Sequence, residues 1–187
     1  MTNATGTVVY KRSAAPRCQP RDFIMYVILS EAEQRLAKFL ATQRYENARR
    51  KGLANAKMGN QSNKLTDLEG IASEIAFCKL ANIYPDLDLD HTNSADCFLH
   101  NGYAVDVKST TYKTGRLLSV RWKNSEKVDV FVLMVGRFPK YRCAGFMDAS
   151  ELIKESRLTN LGHGEGFSAT QNELQPLSVL LNFNHGV

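Results

Sequence analysis

Two stretches of the chain repeat apolar residues at the spacing of an α-helix. The first covers residues 30–59 and opens with Ser30 followed by Glu33, the pair that forms a capping box at a helix N-terminus. Its predicted inward side carries Leu36, Phe39, Leu40 and Gln43. After a loop at residues 59–63, the second stretch covers residues 66–82. The inward side of this second helix is an apolar stripe of Leu68, Ile71, Ile75 and Cys78.

One carboxylate interrupts the apolar stripe of the second helix. Glu74 lies three residues after Ile71 and four before Cys78, so it falls at the margin of the buried side. A carboxylate in that position is costly unless a cation meets it. Two interpretations stay open: an acid that reaches solvent or pairs with an Arg, and an acid with a function.

Strand patterns dominate the rest of the chain. Residues 116–122, 128–135 and 141–147 are rich in β-branched and aromatic side chains and are bounded by polar residues, Gly or Pro. Residues 149–157 predict a short helix capped by Asp148 or Ser150, and the tail predicts a loop at 162–166 and a last small element at 172–181. The order helix, helix, several strands, helix predicts an α/β domain with a mixed sheet.

A hairpin is predicted around Asn101-Gly102 in the sequence ADCFLHNGYAVDVKST, residues 95–110. A two-residue turn would mix acidic and apolar side chains on both faces. A three-residue loop at 100–102, with Gly102 left-handed, instead pairs Leu99 with Tyr103. One face then carries Cys97, Leu99, Tyr103, Val105 and Val107, and the other carries Asp96, Asp106 and Lys108. We predict this register, because a slip of one residue would scatter both sets.

Length and composition predict one globular domain. The chain has 187 residues, of which 43% are hydrophobic and 23% charged, as in ordinary globular proteins. Residues 1–20 are basic, contain two prolines and show little periodicity, so they predict a mobile basic arm ahead of a single domain at 21–187. The longest apolar run, residues 23–29, is too short to span a bilayer and no signal cleavage site follows it. We therefore expect a cytoplasmic protein with no membrane partner.

The cysteine spacing argues against a cysteine-held metal. Cys18, Cys78, Cys97 and Cys143 form no CxxC pair, and no His lies at zinc-finger spacing. Three of the four lie within apolar stretches. Buried free thiols are the favoured interpretation.

The charge of +5 and the pI of about 9.0 permit an anionic partner. Two segments, 42–64 and 108–127, each hold six basic residues against one acid. Between them lies an acidic segment with Asp86, Asp88, Asp90 and Asp96. An acidic segment between two basic ones is the pattern expected of a cation site beside a bound phosphate backbone. The alternative is a solvated charged surface with no ligand. The predicted nucleic-acid contacts are Arg49, Arg50, Lys113, Arg116, Arg121 and Lys123.

The polar face of the hairpin predicts metal chemistry. Asp96 opposite Asp106 places like charges together, which destabilises a strand pair unless a divalent cation is bound. Mg²⁺ takes oxygen ligands and keeps several waters, so two Asp and a backbone carbonyl make an open site, which Mn²⁺ also suits. Lys108 points to the same side and could orient a bound water and stabilise charge on a phosphate. An ordinary ion-paired strand is the alternative.

These residues resemble the signature of the PD-(D/E)XK nuclease superfamily, in its variant with an additional helix Glu. The matching segments are GIASEIAFCKL around Glu74, SADCFL around Asp96, and YAVDVKS around Asp106-Val107-Lys108. Within the superfamily, residues 44–177 are similar to small phage-encoded nuclease-like proteins, whose place of action would be the host cytoplasm.

The resemblance implies a restriction-endonuclease-like core, with a central mixed β-sheet flanked by helices, that hydrolyses DNA with Mg²⁺. Asp96, Asp106 and the Val107 carbonyl would hold the metal, Glu74 would contribute to the metal site and Lys108 would assist the attacking water. Many such enzymes act as dimers, so a homodimer is a further expectation. The strand state of the DNA, and DNA against RNA, stay open.

Two features depart from the signature. Ala95 precedes Asp96 where the signature has Pro, and residues 109–128 contain a strand pattern where the superfamily core has a crossover helix. The alternative function is a noncatalytic nucleic-acid-binding module or regulator on the same fold. Retention of all four polar residues favours the enzyme, and the +5 charge disfavours a mimic of DNA.

Overall fold

The computed structural model of the protein describes residues 8–12, 23–52, 63–89, 95–121, 127–160 and 164–182. The strands are β1 Val8–Arg12, β2 Phe23–Ile28, β3 Cys97–Phe98, β4 Ala104–Thr110, β5 Leu117–Val120, β6 Val130–Arg137, β7 Lys140–Asp148, β8 Leu158–Asn160 and β9 Glu165–Ala169. The helices are α1 Glu31–Arg50, α2 Asn63–Ala81, α3 Ala149–Leu152 and α4 Leu177–Asn182. Within these ranges no helix has both the length and the apolar character that a bilayer crossing requires.

The strands form two sheets. The larger sheet has the order β1-β2-β7-β6-β4-β3, and the smaller, antiparallel sheet has the order β5-β9-β8. In the larger sheet β4 and β6 are parallel and all other neighbours are antiparallel. The predicted α/β class with a mixed sheet is therefore confirmed. The connection from β4 to the parallel β6 passes through β5, which is the strand predicted from residues 116–122.

Strand β6 lies at the centre of the molecule and is buried on both faces. Val130, Val132 and Met134 pack into a core with α1, α2 and α4. The alternate residues, Phe131, Leu133 and Val135, pack into a second core with the smaller sheet and α3. A strand covered on both faces needs apolar side chains at every position, which explains the continuous apolar run of β6.

Helix α1 begins as predicted and ends earlier than predicted. Ser30 and Glu33 form the reciprocal capping box. The helix ends at Arg50, and Gly52 follows with a φ of 70°, a left-handed conformation typical of a helix C-terminus. Residues 53–59 of the predicted helix lie outside the described ranges.

The inward side of α1 was predicted wrongly at Phe39, which is 56% exposed. The buried residues of this helix are Ala37, Leu40 and Ala41. The small side chains of Ala37 and Ala41 face the neighbouring elements, and the ring of Phe39, two positions from each alanine, is left outside. The helical period identifies amphipathic spacing but not which large residue the neighbouring elements can accept.

Helix α2 matches its prediction closely. Ile71, Ile75 and Cys78 are buried and Leu68 packs against the same core. The helix begins at Asn63, within the predicted loop at 59–63, and the rest of that loop lies outside the described ranges.

Four strands occur where none was predicted: β1, β2, β8 and β9. Residues 8–12, within the predicted mobile arm, form the edge strand β1 and pair with β2. Strand β9 begins at Glu165, within the predicted loop at 162–166, and pairs with β5 and β8. Among these four, β2 pairs with β7 and β9 pairs with β5, partners distant in the chain that a local pattern does not reveal.

The described cysteines are free thiols, as predicted for three of the four. Cys78 and Cys97 are buried, and Cys143 is half-buried. Burial raises the pKa of Cys143 to about 12. Cys18 lies outside the described ranges.

Candidate active site

The hairpin from β3 to β4 has the predicted three-residue loop. The Leu99 N–H donates to the Tyr103 carbonyl at 2.9 Å, and Gly102 has a φ of 86°. Cys97 pairs with Val105. The apolar side chains of this register join the core beneath α2, except for Tyr103, which is exposed at the end of the hairpin. The predicted register is confirmed from Cys97 to Val105.

Asp96 departs from that register. Its N–H donates to the Val105 carbonyl at 2.8 Å, so its backbone does not face Asp106 directly. Its Oδ2 accepts a hydrogen bond from the Val107 N–H at 2.6 Å. The carboxylate thus satisfies an N–H of β4 beyond the end of β3. This bend avoids the predicted direct opposition of two acids and leaves Asp96 beside the backbone of Val107.

Asp106 and Lys108 lie on the face of β4 opposite the helices. They pair with Phe131 and Leu133 of β6, whose side chains belong to the core with the smaller sheet. Lys108 Nζ lies 2.5 Å from Asp106 Oδ1. The Asp106 side chain is 1% exposed and that of Lys108 is 35% exposed, so the lysine is the accessible end of the pair.

Glu74 lies on α2, which packs on the other face of β4, and is paired with Arg44 of α1. Arg44 Nη1 lies 3.3 Å from Glu74 Oε2, and the two side chains are 12% and 18% exposed. Arg44 also donates to the Asp86 and Asp88 carbonyls at 3.0 and 2.9 Å. The basic pattern of residues 42–64 included Arg44 but gave no sign that it holds both the helix Glu and the segment after α2.

The charges of these residues act on one another. Burial by itself would lower the pKa of Lys108, but nearby carboxylates outweigh burial and raise that pKa above its ordinary value. Those carboxylates are, in falling order of effect, Asp106, Asp96 and Glu74. The structure therefore brings all three predicted acids within electrostatic reach of the predicted lysine.

The pKa of the Cys97 thiol, on the other face of the hairpin, is affected by two of the same acids. Contact with the Cys78 thiol and burial raise the pKa of Cys97 above its ordinary value. The negative charges of Asp96 and Glu74 raise it further. The Cys97 thiol, on the helix-facing side of the hairpin, is thus within electrostatic range of two of the three acids.

The donor atoms suit a hard cation, although no cage is preformed. Three acids face two cations, Lys108 and Arg44, so the cluster has a formal charge of −1. Across the described part of the chain, no three His, Cys, Asp or Glu side chains stand together as a ready metal site. Mg²⁺ commonly uses one or two carboxylates and keeps its waters. The oxygens of Asp96 and Asp106 fit that requirement. The N–H and C=O of one strand residue face the same neighbour, so the Val107 carbonyl lies on the Asp96 side.

The predicted nucleic-acid contacts lie on three elements. Arg49 and Arg50 are exposed at the end of α1, where Arg49 lies 5.2 Å from the Tyr45 ring. Lys113 and Arg116 are exposed on the turn after β4. Arg121 follows β5 and pairs with Glu165. Lys123 lies outside the described ranges.

One buried hydroxyl was missed by the sequence. Ser119 is 1% exposed, and its Oγ has no hydrogen-bond partner among the described residues. It shares a face of β5 with Leu117, which packs against Phe131 and Leu133 beside β4. A single Ser in a strand pattern gives no signal of this kind, because its burial depends on how the second sheet covers the first.

Comparison of this chain with protein-family models, with curated proteins and with solved structures produces no match.

Proposed function

We propose that this protein is a metal-dependent nuclease of the PD-(D/E)XK superfamily, with a restriction-endonuclease-like core, that hydrolyses DNA phosphodiester bonds. One observation supports the proposal above the others. Lys108 pairs with Asp106 at 2.5 Å, and Asp96 accepts a hydrogen bond from the N–H of Val107, the residue between them. The charge of Glu74 adds to theirs in raising the pKa of Lys108. Carboxylates that could hold a divalent cation, beside an amine that could meet a phosphate, are groups used in metal-dependent hydrolysis of an anionic ester.

The four residues have distinct roles in this proposal. Asp96 and Asp106, with the Val107 carbonyl and Glu74, would hold Mg²⁺ or Mn²⁺. The bound ion would lower the pKa of a water and neutralise charge on the phosphate. Lys108 is the accessible cation of the cluster and stabilises the charge that builds on the phosphate oxygens. Arg44 positions Glu74 through the contact at 3.3 Å.

Exposure decides how a phosphate enters the site. Asp106 is 1% exposed, whereas Lys108 is 35% exposed. A phosphate therefore meets the lysine first and approaches Asp106 along the side chain of that lysine. The positive charge of the lysine would attract the anionic phosphate into a site that also contains three acids.

The test is cleavage of supercoiled plasmid and of labelled oligonucleotides with Mg²⁺, with Mn²⁺ and with EDTA. We expect cleavage that needs the cation and that falls by about 100-fold or more in Asp106→Asn. The matched control is Glu151→Gln, which removes an acid that pairs with Lys154 at 2.7 Å on the protein surface. Absence of cation-dependent cleavage, or equal rates in both variants, would reject the proposal.

A noncatalytic nucleic-acid-binding module is the second candidate, and one contact favours it. The Lys108 to Asp106 ion pair at 2.5 Å already neutralises the buried acid without a metal. Such a module would bind DNA equally well in EDTA and would show no Mn²⁺ binding by calorimetry. An enzyme would bind Mn²⁺ and lose that binding in Asp96→Asn.

A further inference from the structure

The turn between β4 and β5 presents an aromatic ring beside two cations. Tyr112 is 72% exposed, and Lys113 and Arg116 are exposed on the same turn. Within the described ranges the Tyr112 side chain contacts no partner, and neither cation forms an ion pair. Tyr112 follows Lys108 by four residues, so their Cα atoms are at most about 14 Å apart.

The backbone of this turn is held rigidly from behind. Arg142 donates to the Lys113 carbonyl at 3.1 Å, and Gln171 donates to the carbonyls of Lys113 and Gly115 at 2.9 and 2.8 Å. Arg142 also donates to Gln171 Oε1 at 2.7 Å, which joins the two supports. The turn is therefore fixed to β7 and to the segment after β9.

The turn is also closed on itself at Thr110. The Tyr112 N–H donates to Thr110 Oγ1 at 3.3 Å. A Cβ at Gly115 would lie 2.3 Å from the same oxygen, so glycine is needed for this approach. The backbone is thus fixed. Within the described ranges the side chains of Tyr112 and Lys113 form no hydrogen bond or ion pair, and that of Arg116 donates only to Ser168 Oγ at 3.4 Å.

We propose that Tyr112 stacks on an unpaired base while Lys113 and Arg116 bind the neighbouring phosphates. The substrate class is then single-stranded DNA, or DNA with unpaired bases beside the cleaved bond. This inference rests on the proposed function, because it names the substrate of that same site. An exposed ring flanked by cations is how proteins hold single strands without reading their sequence. A rigid turn lowers the entropy lost on binding.

A second exposed tyrosine shows what distinguishes this one. Tyr84 is 80% exposed, but its neighbours are Ile83, Pro85 and the acid Asp86. An acid beside a ring repels the phosphates that accompany a base. Tyr84 is therefore a matched control for exposure without the surrounding charge.

The experiment measures DNA binding by fluorescence anisotropy of the full chain in EDTA, which prevents cleavage. The probes are a labelled oligothymidine, the same oligomer with abasic sites, and a labelled duplex. We expect Tyr112→Ala to weaken binding of the oligothymidine by about 10-fold, since stacking contributes about 1–3 kcal/mol per base. Tyr112→Phe keeps the ring and should bind as the wild type does, as should Tyr84→Ala.

Abasic sites provide the second arm. The wild-type protein should bind the abasic oligomer about 10-fold more weakly than oligothymidine, and Tyr112→Ala should bind the two alike. The duplex should bind the wild type and Tyr112→Ala within about twofold of each other. Equal binding of oligothymidine by Tyr112→Ala and Tyr84→Ala would overturn the inference, as would equal weakening for single strand and duplex.

The two proposals fail in different ways. Cation-dependent cleavage combined with no effect of Tyr112→Ala would remove the stacking role and leave the nuclease. Stacking that depends on Tyr112, combined with no cleavage, would remove the nuclease and leave the base contact. A protein that binds none of the three probes would overturn the stacking inference.

Discussion

Helix α2 carries two largely buried carboxylates, Glu69 and Glu74, in opposite surroundings. Glu69 is 8% exposed and accepts hydrogen bonds from the Phe138 N–H at 3.1 Å and from the Tyr141 hydroxyl at 2.6 Å. Burial and the Glu69 carboxylate raise the pKa of Tyr141 above its ordinary value, so the phenol stays a donor. Glu74, five residues later, meets Arg44 and acts on Lys108 together with Asp96 and Asp106.

The comparison separates two uses of a buried acid. The donors to Glu69 are a peptide N–H and a phenol, which fix the turn between β6 and β7 to α2. Glu74 belongs to a group in which three acids face two cations. An acid that accepts hydrogen bonds from uncharged donors is suited to a structural role. A cluster with excess negative charge is suited to binding a further cation.

The largest expected effect is on activity at Lys108. Lys108→Ala should lower the rate of cation-dependent cleavage by about 100- to 1000-fold, because it removes the cation that meets the phosphate. The control is Lys79→Ala, which breaks another lysine–carboxylate pair, with Glu33 at 2.8 Å, away from the hairpin. Initial rates on a labelled oligonucleotide measure both. Similar rates for the two variants would place Lys108 outside the reaction.

Glu69 should affect stability instead. Glu69→Ala leaves the Tyr141 hydroxyl and the Phe138 N–H buried without their acceptor, which should lower the free energy of unfolding by about 2–3 kcal/mol. Urea denaturation measures the loss, and Glu69→Gln, which keeps an acceptor oxygen, should lose less. The cleavage rate per folded molecule should stay at the wild-type value. A loss of activity without a loss of stability would contradict the structural role.

Substitution of Arg44 should affect both the cleavage rate and the free energy of unfolding, each to a smaller extent. Arg44→Ala removes the partner of Glu74 and two bonds to the segment after α2, so we expect a loss of about 1–2 kcal/mol and about 10-fold slower cleavage. Arg44→Lys keeps the charge but loses the planar guanidinium group, so it should recover only part of the stability and part of the cleavage rate. Arg35→Ala breaks an exposed pair with Glu31 at 3.8 Å and should change stability by less than about 0.5 kcal/mol. Equal losses in Arg44→Ala and Arg35→Ala would show that the half-buried contacts are unimportant.

The smallest expected effect is the pH dependence at an exposed acid, Glu173. Hydrogen bonds from the Thr170 N–H and hydroxyl, and from Arg157, lower the pKa of Glu173 to about 2. This value lies below the ordinary value of about 4.3 for an unfolded chain, so the stabilisation is complete above about pH 4.3 and is lost as the pH falls toward 2. Urea midpoints measured from about pH 5 to about pH 3 should therefore fall less in Glu173→Gln than in the wild type. Parallel curves would exclude the contribution.

Local signals predicted the elements that depend on neighbours in the chain. The Asn101-Gly102 turn and the alternation on either side of it specified the hairpin register, because a shift of one residue would reverse every side chain. Ser30 and Glu33 located the start of α1 for a similar reason, since both partners of a capping box lie within one turn.

Elements that depend on distant partners were predicted poorly. Strand β2 pairs with β7 and strand β9 pairs with β5, both far away in the chain, and neither was predicted as a strand. Phe39 has helical spacing, but the elements packed against α1 accept Ala37 and Ala41 in its place. Asp96 leaves the hairpin register because its carboxylate finds the Val107 N–H, which alternation does not predict.

The sequence alone determined the chemical identity of the candidate residues, the helix that carries Glu74 and the hairpin that carries Asp106 and Lys108. Those features follow from helical and strand periods and from turn chemistry, which act over a few residues. Only the tertiary structure decided that Glu74 reaches the hairpin, that Arg44 holds it, and that Asp106 is buried while Lys108 stays accessible. Exposure and electrostatic reach depend on which distant surfaces pack together, and no local period records that packing.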